Sequence, residues 1–247
     1  MSRSPKSLFI GCAALSALLA ALLGLTVTAI SSPSIRSILN VPVRLTSMAI
    51  SSSTSDQNEH NAVGDQTWLS HWPPIKGKAY PDINLKDQTG KTLRLSDFKG
   101  KVILIEYAAV SCQGCQAFAG GKQRGPFGQF RVQPGLDSIE HYSRRYANVD
   151  LGKDVVFVQV LLYGGDQSAP TMSETKAWAE HFDMERQHDK VVMQGRPEML
   201  SEKTYQMIPG FHLVDQDFIV QGDSCGHHPI DDLYRDLLPK MGELARR

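Results

Sequence analysis

Three regimes of apolar patterning divide this chain. Residues 8–30 carry no charged side chain and are rich in Leu, Ala, Ile and Val. Twenty-three such residues at a helical rise of about 1.5 Å span roughly the hydrocarbon thickness of a bilayer. From residue 31 to about residue 66 the sequence turns to Ser, Thr, Asn and scattered small residues without a period, a composition that buries too little surface to order itself. Beyond residue 76 short apolar runs alternate with segments of helical periodicity. The predicted organisation is therefore a membrane segment at 1–30, a low-complexity linker at 31–75 and one folded domain at 76–247.

Within the folded part, Ile83/Leu85 and Thr92/Leu93/Leu95 flank Asp87-Gln88-Thr89-Gly90, the pattern of a hairpin closed by a glycine turn. Ser96-Asp97-Phe98-Lys99-Gly100 suits one helical turn, and Val102-Ile103-Leu104-Ile105 is a continuous β-branched run, as expected of a central strand buried on both faces. The pattern continues as helix (136–146), strand (155–162), helix (173–182), short strand (191–193), and a strand, turn and strand across 211–220. Thr171 and Glu174 have capping-box spacing for the second helix. A last helix is predicted over 229–244, with Leu233, Leu237 and Leu238 on one face. Alternating strands and helices imply an α/β sandwich.

Charge narrows the function. Twenty-six basic and twenty-six acidic side chains balance, and no basic stripe with interleaved aromatics occurs, which excludes a nucleic-acid partner. Arg3 and Lys6 precede the apolar segment, so an uncleaved anchor would keep its amino terminus in the cytoplasm; a cleaved signal peptide, with Val27 and Ala29 before the cut, is the alternative. Both place the domain outside the cytoplasm, on the periplasmic side, where disulfides persist. Cys12 lies near the start of the apolar run and reads as filling.

The chemistry is carried by Cys112-Gln113-Gly114-Cys115, directly after the strand that begins at Val102. Two cysteines separated by two residues close a small redox-active disulfide when a helix starts at the first. Together with Tyr80-Pro81-Asp82 and Leu95-Ser96-Asp97-Phe98-Lys99-Gly100-Lys101, this resembles the redoxin branch of the thioredoxin superfamily, which includes membrane-tethered TlpA-like thiol–disulfide oxidoreductases. The resemblance covers about residues 76–245 and implies a thioredoxin-like three-layer sandwich, a central mixed sheet with an N-terminal β-hairpin extension. It also implies roles: Cys112 as attacking thiolate, Cys115 as resolving thiol, Glu106 as a buried acid that moves the resolving proton, and Pro209 as the cis-proline beside the disulfide.

No cofactor is expected. The expected partners are exported protein thiols or disulfides, a membrane thiol electron carrier, and the membrane itself through the N-terminal helix. Ser111 stands where thioredoxins commonly carry Trp, the dipeptide Gln113-Gly114 has no proline, and Gly210 replaces the family's usual hydroxyl residue. The first two lie where redox potential is set, so direction stays open, with reduction slightly favoured by the resemblance. The run 120–128, with four glycines, predicts that the active-site helix is cut short and followed by an inserted loop.

Cys225, His227 and His228 are expected near the CxxC end, either as a third exchangeable thiol with neighbours or as soft-metal ligands. Copper handling or metal-centre assembly through these groups is the alternative function. Solvated loop residues are the bland reading. Peroxide reduction is disfavoured because the peroxiredoxin threonine and proline pattern is missing before Cys112, and Gln116 in place of His excludes haem attachment.

Overall fold

A computed structural model describes residues 67–247. The expected membrane segment at 1–30, and the linker up to residue 66, lie outside the described residues. Among the described residues no helix is long and apolar enough to cross a membrane.

The hairpin forms first along the chain. β1 (Asn84–Lys86) pairs antiparallel with β2 (Thr92–Arg94). The carboxylate of Asp87 accepts from the Thr89 N–H at 2.8 Å and the Thr89 hydroxyl at 2.6 Å. Gly90 then takes φ +83°, which a residue without Cβ adopts at little cost. A 3-10 turn over Leu95–Phe98 follows, and the chain enters β3 (Ile103–Ala109).

The active-site region is α1 (Gln113–Phe118), α2 (Gly121–Arg124) and α3 (Ile139–Ala147). After it come β4 (Val156–Tyr163), α4 (Met172–His181), β5 (Lys190–Gln194), α5 (Glu202–Tyr205), β6 (Gly210–Val214), β7 (Val220–Cys225) and α6 (Leu238–Ala245). The predicted capping box at Thr171 and Glu174 is formed.

The five-stranded sheet has the order β5-β4-β3-β6-β7. β3, β4 and β5 run parallel, while β6 and β7 are antiparallel to their neighbours. With the hairpin ahead of it, this is a thioredoxin-like α/β fold. All seven residues of β3 and all eight of β4 are buried, which is why both read as apolar runs and not as alternating ones. The hairpin is fastened to the β5 edge by buried Gln88, whose Nε2 donates to the carbonyls of Met184 (3.0 Å) and Lys190 (2.9 Å) while its Oε1 accepts from Val192 N–H (3.0 Å).

Register separates two faces. Glu106 pairs with Gln159 and Phe211 on one, and Ile105 pairs with His212 on the other. The Glu106 face meets α1, through Phe118 packed edge-on to Phe211, and α4, through Trp178, which hydrogen-bonds Gln159. The His212 face meets Trp72 and Tyr80, both against Tyr107.

Two boundaries differ from expectation. Trp68 is buried in a 3-10 turn over Thr67–His71 and Trp72 packs on Tyr107, so the packed chain includes 67–75, ahead of the boundary expected at 76. Two indole rings supply the apolar area that the polar spacer lacks. The last helix expected over 229–244 begins instead as a wide turn at Leu233–Leu237, capped by Asp232, before α6. Pro239 lacks an N–H and crowds the preceding turn; the wider turn, with Leu237 N–H reaching Asp232 C=O at 3.0 Å, absorbs that crowding.

Candidate active site

β3, the central strand, delivers the cysteines to its C-terminal end, and the sequence after it turns into helix. Cys112 is the N-cap of α1, with its Sγ accepting from the Cys115 N–H at 3.1 Å. The two cysteines are joined as a disulfide with Cα atoms 5.2 Å apart, within the ordinary range. Cys112 is half-buried, whereas Cys115 is fully buried one turn into the helix. One sulfur is reachable and the other is held behind it, the asymmetry that sequential attack and resolution need.

A cleft of about 370 Å³ opens at Cys112, lined among others by Ser111, Gln113, Gln133, Tyr205, Pro209 and His227. The Ile208–Pro209 bond is cis. Gly114 is the close-approach residue: a Cβ there would stand 3.0 Å from Pro209 Cγ and 3.2 Å from Gln133 Oε1. Gly210 is similarly confined, since a Cβ would meet the Met207 carbonyl at 2.2 Å and Cys225 Cα at 2.7 Å.

Glu106 is fully buried in β3. Its Oε2 accepts from Gln159 Nε2 at 2.8 Å, and Gln159 Oε1 in turn accepts from Trp178 Nε1 at 2.9 Å. Its Oε1 makes no hydrogen bond. Burial lifts the carboxyl from 4.5 to about 8, only partly offset by the Gln159 bond, because the charged form loses its hydration. The group is therefore neutral at pH 7 and able to exchange a proton near that pH. It lies on the sheet face that α1 covers, as Phe118 packing on its register partner Phe211 establishes.

The glycine-rich run breaks the helix as expected. Gly120 and Gly125 take φ +113° and +82° and bracket the four-residue α2. The segment after α2 then folds back over the redox pair, with Gln133 N–H donating to Gln113 C=O at 3.0 Å. Asp137 accepts from Lys122 (2.5 Å) and Gln123 (2.7 Å), tying α2 to the start of α3. Lys122 and these hydrogen bonds hold its carboxyl down at about 2.

Cys225, His227 and His228 are not gathered on one side. His227 lines the cleft with Cys112. Cys225 ends β7 opposite Gly210, which pairs with Tyr107, so its side chain belongs to the His212 face. There its Sγ donates to the Phe211 carbonyl at 3.7 Å, and burial with the neighbouring Asp223 carboxylate pushes the thiol well up. His228 is exposed.

Sequence reasoning missed Gln116, Gln133 and Tyr205. Gln116 is fully buried, donates to Val110 C=O at 2.8 Å and accepts from Phe127 N–H at 2.8 Å, stapling α1 to the end of β3 and to the inserted segment. A glutamine in an otherwise apolar helix stretch, Gln116-Ala117-Phe118, was the available signal.

No family model matches the chain. Among curated proteins, the chloroplastic peroxiredoxin Q of Populus jackii is 56% identical over 41 residues, which is 16% of this chain and 19% of that protein; the match spans about a fifth of the relative's length. Among solved structures, a thiol:disulfide interchange protein of the thioredoxin family from Chlorobium tepidum is 14% identical, with 69% of this chain and 97% of that one covered at a TM-score of 0.41. The thioredoxin domain of a thiol-disulfide oxidoreductase from Bacteroides vulgatus is 17% identical, with 65% and 93% covered at a TM-score of 0.39.

Proposed function

We propose that this chain is an exported, membrane-tethered thiol–disulfide oxidoreductase that exchanges disulfides with protein clients through its CxxC pair, with reduction slightly favoured. The supporting observation is the placement of the pair: Cys112 half-exposed at the start of α1 on the lip of a cleft, and Cys115 buried behind it. In the reducing direction the Cys112 thiolate attacks a client disulfide, forming a mixed disulfide and expelling one client thiolate. Cys115 then loses its proton, through water to Glu106 in its ionised form, and its sulfur displaces the second client thiolate. The product is the Cys112–Cys115 disulfide, and two electrons have passed to the client. A thiol carrier in the membrane returns them.

Export and tethering rest on the apolar segment at 8–30 and its positive flank. They are tested by fractionating cells and treating spheroplasts with protease: digestion of the domain from outside is expected, and protection would refute export. The exchange itself is tested by insulin reduction with a dithiol donor. Wild type should accelerate it and Cys112→Ser should not; full activity in that variant would remove the assigned nucleophile.

The stretch shared with peroxiredoxin Q favours a second reading, in which Cys112 takes an oxygen atom from a peroxide and Cys115 closes the disulfide with loss of water. It ranks second because Val110-Ser111 before the cysteine lacks the threonine and proline pattern of peroxiredoxins. Rapid hydrogen peroxide consumption by the reduced pair, without insulin reduction, would reverse the ranking.

A further inference from the structure

Behind the sheet, on the face opposite the redox helix, three donor side chains converge without a role in disulfide exchange. His212 of β6 and Asp223 of β7 are register partners, and Cys225 lies two residues further along β7 on the same face. One donor atom from each lies within 4.8 Å of the others. His212 is 1% exposed, and its Nε2 makes no hydrogen bond although Asp223 Oδ1 stands 3.3 Å away. The buried ring nitrogen and the carboxylate oxygen face each other at ion-pair distance without an aligned hydrogen bond, a gap that a shared cation would bridge.

We propose that His212 Nε2, Asp223 Oδ1 and Cys225 Sγ form a binding site for a zinc-class divalent ion. The spacing suits such an ion: two atoms bound tetrahedrally at about 2.0–2.1 Å lie roughly 3.3–3.4 Å apart, which the Nε2–Oδ1 separation matches. The donor set of imidazole, carboxylate and thiolate selects a borderline ion over magnesium or calcium. His212 is also oriented from behind, since its Nδ1 is 2.8 Å from the Tyr107 hydroxyl, itself 2.8 Å from that of Tyr80. In the tautomer whose Nδ1–H donates to Tyr107, Nε2 is left free to ligate, the supporting arrangement metal-bound histidines use.

On binding, the Cys225 proton, now directed to the Phe211 carbonyl, leaves to buffer and a metal–sulfur bond replaces the S–H bond. One thiolate, one carboxylate and one neutral imidazole balance the charge of a divalent cation. Asp223 and Cys225 are only partly buried, so the ion enters from their side and solvent completes its coordination.

The site shares no residue with the redox pair, and the test separates them. Full-length protein with Cys112–Cys115 closed is titrated with cobalt(II). A sulfur-to-cobalt charge-transfer band and tetrahedral d–d absorption should saturate at one equivalent and be displaced by zinc. Cys225→Ser, which retains Cys12, should lose the sulfur band, Asp223→Asn should bind at least tenfold more weakly, and Tyr107→Phe about 10–100-fold more weakly. As a check independent of variant folding, one equivalent of zinc should slow alkylation of Cys225 in the wild type, read by peptide mass. Absence of both the band and the protection overturns the site. So does a band that persists in folded Cys225→Ser or that appears only after the redox pair is reduced.

Discussion

Replacing Glu106 by Gln should remove most of the pH dependence of stability that this domain shows between about pH 5 and pH 8. The carboxyl ionises at about 8 in the fold against 4.5 ordinarily. Between those values the unfolded chain has released the proton that the native state still holds. The unfolded state therefore binds fewer protons, and stability falls as pH rises, by about 1.4 kcal/mol per unit. Below pH 4.5 the carboxyl is protonated in both states and costs nothing; above about 8 the loss is complete, on the order of 3–5 kcal/mol. Gln keeps the shape and an acceptor for Gln159 but has no proton to lose. Urea unfolding of the oxidised protein, followed by tryptophan fluorescence, is the assay, since Trp68, Trp72 and Trp178 are the only three tryptophans of the chain and all pack within the fold. The two proteins should agree within about 1 kcal/mol near pH 5 and diverge steadily to pH 8, with the variant the more stable. Parallel stability curves across that range would refute the burial-driven shift.

Cys115→Ser should accumulate a mixed disulfide with insulin through Cys112, visible on non-reducing gels, because attack proceeds and resolution does not; no adduct would contradict the assignment of Cys112 as the attacking sulfur. Gln116→Ala leaves the Val110 carbonyl and Phe127 N–H unpaired and should lower stability by about 2–4 kcal/mol, with faster amide exchange at Phe127; an unchanged urea midpoint would show that water replaces both bonds. Asp137→Asn should weaken the tie between α2 and α3 and abolish the stability that the wild type loses as pH falls from 3.8 toward about 2, measured by acid unfolding. If acid unfolding is unaltered, that carboxylate is not held as described.

Much of the fold was legible because its strands are buried on both faces and so read as unbroken apolar runs: β4 lies within a residue of its predicted limits, and β3 starts one residue after its predicted start but runs on to Ala109, through Glu106, which breaks the apolar run in sequence. The hairpin was legible from Asp87 and Gly90, whose turn chemistry is local. The start of the packed chain was not. Trp68 and Trp72 follow a polar spacer; Trp68 packs edge-on to Trp72, and Trp72 on Tyr107, which is distant in sequence; no local periodicity announces such a contact. The active pair declared itself by spacing, but the cleft around it is assembled from Gln133, Tyr205 and Pro209, brought together only by the return of the chain to β6. Cys225 was drawn toward the redox pair in sequence reasoning because β7 ends there; strand alternation turns its side chain to the other face.

That alternation also accounts for a residue that departs from the thioredoxin pattern. Gly210 stands where the resemblance leads one to expect a hydroxyl, and the reason lies in its neighbours. It opens β6 directly opposite Cys225, with the Met207 carbonyl and Cys225 Cα within 2.2 and 2.7 Å of any Cβ it could carry. Gly114, between the cysteines, meets Pro209 from the other side at 3.0 Å. Proline ring, redox helix and β7 thus close on one another with two glycines as the contact points, and adding a side chain at either must push them apart. At Gly114 the nearest atoms are side-chain ones, Pro209 Cγ and Gln133 Oε1, so Ala there should mainly shift the cleft. At Gly210 they are backbone, which cannot give way by changing rotamer. Gly210→Ser should therefore destabilise by about 1–3 kcal/mol or more, while Gly114→Ala should alter exchange rate at smaller cost in stability. The order of those two effects measures which wall of the cleft is rigid, and a reversed order would place the rigid wall at the redox helix.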